Sequence, residues 1–180
     1  MEPDTTLEPL DTLSDDALWA AYVSGRDEAL DEVIRRHGPE LLRYLHLSLG
    51  DPARALEELG RSVCRAAAWR RPYEGFDSLR GWLLAVATQV STPAAASHEE
   101  GLKEMLDDLR RGEPGTDQEA LRRAVCDLRR DLRQPFLLTV VLGLSAAEAT
   151  KACRATPAMV ARNAARACRA LAASIPLAPE

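Results

Sequence analysis

The chain has 180 residues, 46% of them hydrophobic but only 4% aromatic, and a formal net charge of −5. Its core must be built mainly from Leu, Ala and Val, and the abundance of strong helix formers with few β-branched residues favours helices over sheets. No run approaches the ~20 apolar residues needed to span a bilayer, and the acidic stretch Met1–Leu13 has neither the cationic start nor the apolar run of a signal peptide.

Residues 1–13 are expected to be a disordered acidic leader. Ser14 with Asp15 and Asp16 marks a helix start, with a capping hydroxyl and carboxylates at the positive end of the dipole. That helix closes at Ser24-Gly25. A second begins near Asp27 and carries Leu30, Val33, Ile34, Leu41, Leu42 and Leu45 at helical spacing. His37-Gly38-Pro39 interrupts it, and Pro39 either starts a new helix or kinks one long helix. Gly50-Asp51-Pro52 is a turn. A third helix then runs to about Arg71, with Leu56, Leu59, Val63 and Ala67 predicted as its buried stripe. After the loop Arg71–Gly75, Ser78 opens a fourth helix containing Trp82, Leu83, Val86 and Val90, ended by Thr92-Pro93. These four helices form one bundle over residues 14–91.

Residues 92–117 are a linker with a short helical pattern at Glu99–Arg110. A second helical domain occupies 118–175, with Leu121, Val125 and Leu128 in one helix. The apolar stretch Phe136–Leu142 follows and breaks at Gly143. Residues 1–91 carry 16 acidic and 10 basic side chains, whereas residues 117–175 carry 5 acidic and 10 basic. The two halves are therefore oppositely charged, which points to different partners.

Ser145-Ala146-Ala147-Glu148 fits a capping box for a short helix ending near Cys153. After Arg154-Ala155, Thr156 can cap the next helix and Pro157 takes its first position. That helix turns Val160, Ala164, Ala167, Cys168 and Leu171 inward and places Arg162, Arg166 and Arg169 together on another face. A short helix, a tight turn and a second helix with a cationic stripe make a helix-turn-helix, whose second helix fits the major groove. Pattern alone slightly favours an amphipathic helical hairpin with a solvated arginine face, because charged stripes are common.

Leu137–Ser145, read as an apolar helix followed by Gly-Leu-Ser, and Thr156–Val160 through Arg166–Leu171 resemble region 4 of the extracytoplasmic-function group of the sigma-70 family. Leu41-Leu42-Arg43-Tyr44, Gly50-Asp51-Pro52 and Ser78–Leu83 resemble its region 2. The resemblance implies an all-α fold of two small helical bundles joined by a linker, and an alternative sigma factor that directs RNA polymerase to promoters. It implies that region 2 docks on the β′ clamp helices of core RNA polymerase through Glu57, Glu58, Arg61 and Arg65. Promoter melting would involve Phe76, Arg80, Trp82 and Gln89. Region 4 would touch the β flap and read duplex promoter DNA through Lys151, Arg154, Thr156, Ala158, Arg162, Asn163, Arg166 and Arg169. An anti-sigma factor is the further partner implied, and the cytoplasm the expected location.

The chain departs from the family at several of these places. The usual Gln-Glu pair is replaced by Arg61 and Ser62, the cations after Trp82-Leu83 by Ala85, Thr88 and Gln89, and the turn glycine by Arg154. Ala161 and Asn163 stand where the recognition helix usually has lysine and arginine. Each lost phosphate contact lowers affinity and salt dependence. The alternative is thus a degenerate sigma-like protein that binds an anti-sigma factor or other regulator without reading promoters.

An enzyme is not expected. No Gly-rich phosphate loop or nucleophile–base spacing occurs. Cys64, Cys126, Cys153 and Cys168 form no CxxC pair and share no ligand-like spacing with His37, His46 and His98. Free thiols, no metal, no cofactor and no small-molecule substrate are the expectation.

Overall fold

The structure, a computed structural model, describes residues 8–90 and 117–174. Their regular structure is entirely helical, with no strand among them. The predicted helix at Glu99–Arg110 lies outside the described residues.

Helix α1 spans Asp15–Val23 and starts as its sequence dictates, with Ser14 Oγ accepting from the Ala17 amide. Leu10–Thr12, which the sequence leaves in the leader, form a single 3-10 turn. Arg36 holds that turn by donating to the carbonyls of Leu10, Asp11 and Leu13. Helix α2 (Glu28–Leu49) is continuous through Pro39, so one long helix is the outcome the sequence left undecided. Gly50 closes it in the left-handed conformation (φ 75°), where the Cβ of any other residue would be strained.

Helix α3 (Pro52–Trp69) begins with Asp51 capping the amides of Ala53 and Arg54, and Pro52 sits where a missing N–H is harmless. Its buried face differs from the predicted one. Ala55, Ser62 and Ala66 are buried, Leu59, Val63 and Ala67 are half-buried, and Leu56 is 62% exposed. The stripe is rotated because α2 and α4 approach α3 on its small side chains, while the large residue at 56 faces outward. Helix α4 (Leu79–Val90) is the most enclosed, with Leu79 and Trp82 through Ala85 all buried.

In the second half, α5 (Asp117–Asp127) is followed by α6 (Arg130–Phe136), which runs into a π-helical turn at Leu137–Val141. Gly143 (φ 64°) ends that segment. Helices α7 (Ala146–Cys153) and α8 (Pro157–Ser174) complete the fold.

Both halves contribute to one contiguous core, from Leu18, Trp19, Tyr44 and Leu45 to Leu137, Leu138 and Ala167. Each fully buried Leu or Trp of this kind stabilises the fold by roughly 1.5–3 kcal/mol. Helix α4 lies along α7, and α2 touches α5 and α6. At that seam the buried guanidinium of Arg133 donates to the carbonyls of Leu128 and Ser48. Burial pushes its pKa down, but three hydrogen bonds onto two carbonyl oxygens keep the charge solvated by protein.

Candidate nucleic-acid interface

The helix-turn-helix geometry follows from its caps. Ser145 Oγ accepts from the Glu148 amide at 3.2 Å, and the Glu148 carboxylate accepts from the Ser145 amide at 3.3 Å, a complete capping box. Arg154 stops α7 in the left-handed conformation (φ 50°), which a non-glycine residue adopts only at a cost. Thr156 Oγ1 then accepts from the Met159 amide and starts α8.

On α8, Val160, Ala164, Ala167 and Leu171 face the core as predicted, whereas Cys168 is exposed. Arg162, Arg166 and Arg169 are exposed, and none forms an ion pair with a described residue. Thr156, Ala158 and Met159 are exposed at the helix start. Asn163 does not join them. It is buried, and its Nδ2 donates to the Asp131 carbonyl at 3.1 Å, tying α8 to the start of α6. Its polar group is thereby used inside the protein, where an exposed base reader would present it to solvent.

Lys151 and Arg154 are exposed cations on α7 and its turn, yet both reach across to the first half. Lys151 donates to the Gly75 carbonyl and lies 5.5 Å from the Phe76 ring centroid. Arg154 donates to Gln89 Oε1 at 2.8 Å.

In the first half, Trp69, Tyr73, Phe76 and Trp82 line a groove of about 450 Å³ between α3 and α4, with Arg65, Arg71 and Gln89 also on its walls. Trp82 is 7% exposed and packs its ring 4.9 Å from that of Trp19 and 6.1 Å from that of Tyr73. Arg80 is not open to solvent in the way its helix-start position suggested. It donates to both carboxylate oxygens of Glu40 and to the Leu142 carbonyl, and its bonds to Glu40 raise its pKa. Thr88 and Ala85 are buried. The Thr88 hydroxyl meets that of Tyr44 at 2.8 Å.

The residues predicted for polymerase docking share one side of α3. Arg61 bridges Glu57 and Glu58, and Arg65 is exposed one turn further on. Leu56, missed as a surface residue, stands beside them and gives this charged face an apolar element. Trp69, at 51% exposure, was missed in the same way. Its only sequence signal was its place at a helix end before a proline-containing loop.

Among the described residues, no helix is long and apolar enough to cross a membrane. The four cysteines are free, with Cys64 and Cys168 exposed and Cys126 buried. Burial pushes the thiol of Cys153 up to about 11.

No family model and no curated protein sequence matches this chain. Among solved structures it is similar to CnrH in complex with the cytosolic domain of CnrY. That similarity has a TM-score of 0.61 at 22% identity, over 88% of this chain and 95% of that one. The arrangement of capped helices and buried stripes is therefore an all-helical fold shared with that structure.

Proposed function

We propose that this chain is an alternative sigma factor, a non-enzymatic regulator that binds core RNA polymerase and directs transcription initiation at promoters. The observation that carries the reading is α8, with Arg162, Arg166 and Arg169 exposed and without an ionic partner among the described residues, on a helix entered through a tight turn. Such a helix can lie in the major groove, where guanidinium groups contact phosphates and base edges. The groove lined by Trp69, Tyr73 and Phe76 offers aromatic faces on which bases of an unwound strand can stack. Leu56 with Glu57, Glu58 and Arg61 is the surface for the β′ clamp helices, and the charge asymmetry between the halves fits a protein partner for one and DNA for the other.

Run-off transcription with purified core enzyme on upstream sequences from the same genome tests this. Template-dependent transcripts that require the chain are the expected result. No core complex and no transcript would end the reading.

A second reading, a sigma-like protein that occupies an anti-sigma factor without using promoters, is favoured by one observation. Helix α4 offers Ala85 and Thr88 to the core and turns Gln89 to Arg154, so few cations remain there for a melted strand. CnrH was solved with the cytosolic domain of CnrY, a precedent for a protein partner on this fold. Retention of a membrane-anchored regulator's cytosolic domain without polymerase, in a pull-down from the source cells, is the outcome this reading expects.

A further inference from the structure

The carboxylate of Glu148 is shared by two helix N-termini from opposite halves of the chain. One oxygen accepts from the amide and hydroxyl of Ser145, completing the cap of α7. The other accepts from Ser78 Oγ at 2.5 Å, and Ser78 Oγ itself caps α4 by accepting from the Gly81 amide at 3.0 Å. A negative charge placed between two N-termini is favoured by both helix dipoles. Burial would by itself raise the pKa of Glu148, but the bonds from Ser78 and Ser145 outweigh it and hold the carboxyl below its usual range.

The fit requires a glycine at 81. A Cβ there would lie 2.2 Å from the nearer Glu148 oxygen and 2.7 Å from its carboxyl carbon, so with any side chain at that position the carboxylate would have to leave its seat between the two helix starts. Three further bonds between the halves lie around this point, from Arg80 to the Leu142 carbonyl, Lys151 to the Gly75 carbonyl and Arg154 to Gln89. The last two engage the cations nearest the turn of the helix-turn-helix.

We propose that Glu148, seated against Gly81 and Ser78, is a latch that holds the two halves closed, and that closure withholds Lys151 and Arg154 from nucleic acid. The second clause rests on the nucleic-acid reading above; the first stands without it. Releasing the latch frees two cations for phosphate and separates α8 from the groove on α3 and α4.

The chain carries its own probe sites, because Cys64 in α3 and Cys168 in α8 are exposed while Cys126 is buried and Cys153 has a raised pKa. Donor and acceptor dyes on Cys64 and Cys168 of the full chain report the separation of the halves. Gly81→Ala is expected to lower energy transfer. Glu148→Gln, which preserves the capping box of α7 but removes the charge, is expected to lower it less. Far-ultraviolet circular dichroism checks that each variant is folded. Should Gly81→Ala fail that check, Glu148→Gln decides the matter alone.

Unlabelled Gly81→Ala is then titrated with a 30-base-pair duplex at several salt concentrations. It is expected to bind about tenfold more tightly than the parent, as the competent state becomes populated. Its salt slope should steepen by about two, one unit for each freed cation. Unchanged energy transfer in the folded variants overturns the latch. Lower transfer with unchanged affinity and slope overturns the masking. No duplex binding by parent or variant, despite lower transfer, overturns the masking together with the nucleic-acid reading and leaves the latch standing.

Discussion

The side-chain amide of Asn163 donates to the main-chain carbonyl of Asp131 across 3.1 Å, joining residues 32 apart in sequence. This bond ties α8 to the start of α6, while the buried side chains of Val160, Ala164, Ala167 and Leu171 set which face of the helix turns outward. Asn163→Ala removes the donor and leaves that carbonyl unsatisfied, at a cost of about 1 kcal/mol. A urea unfolding series is expected to show that loss. Discrimination between duplexes that differ at single base pairs should be unchanged.

Arg162 and Arg166 should behave in the opposite way. Each is exposed and without an ionic partner among the described residues, so its replacement by alanine should change stability by no more than about 0.5 kcal/mol. Affinity for duplex DNA should fall, and the slope of log K against log salt should become shallower by about 0.9 per substitution. Fluorescence anisotropy at four or five salt concentrations measures both.

The tryptophans of the first half divide by role. Trp82 is buried against Trp19, and Trp82→Ala is expected to destabilise the protein by about 3–5 kcal/mol through the cavity it leaves. Trp69 is half out of the fold at the groove. Trp69→Ala should leave the melting temperature nearly unchanged and weaken binding of a single-stranded oligonucleotide by about 1–3 kcal/mol. Calorimetry and a gel-shift titration with the same oligonucleotide separate the two effects.

Acid stability should depend on Glu32. Hydrogen bonds from Arg35 and then Arg36 lower its pKa from 4.5 to about 2. A carboxylate depressed in the folded state stabilises the protein fully above its unfolded pKa and loses that contribution as pH falls through its folded one. The window is therefore between about pH 4.5 and 2. Glu32→Gln should lower stability at neutral pH and flatten the pH dependence inside this window, as read from unfolding midpoints at half-unit intervals. Because Arg36 also holds Leu10–Thr12, proteolysis at that turn should become faster in the same variant.

What could be read from the sequence was mostly local. The Ser14 and Ser145 caps, the Gly50-Asp51-Pro52 turn and the Thr156-Pro157 helix start each depend on residues within four positions, and each forms as expected. The inward face of α8 was also legible, apart from Cys168, because apolar spacing there is unambiguous. The face of α3 was not. Leu56 competes with Ala55 and Ala66 for the core, and only the close approach of α2 and α4 decides for the small residues. Asn163 and Arg80 were read as outward for a related reason, since the carbonyls of Asp131 and Leu142 that receive them are distant in sequence. The π-helical turn at Leu137–Val141 left no trace in a stretch whose apolar residues, interrupted only by Thr139, fit more than one helical register.

Arg154 sits in a backbone geometry that suits glycine, and the strain of roughly 1–2 kcal/mol is borne continuously by every folded molecule. Arg154→Gly would make the hinge between α7 and α8 more relaxed while deleting a cation. Variants selected only for heat resistance would thus drift toward glycine at this point, and those selected for grip on a polyanion would keep the arginine.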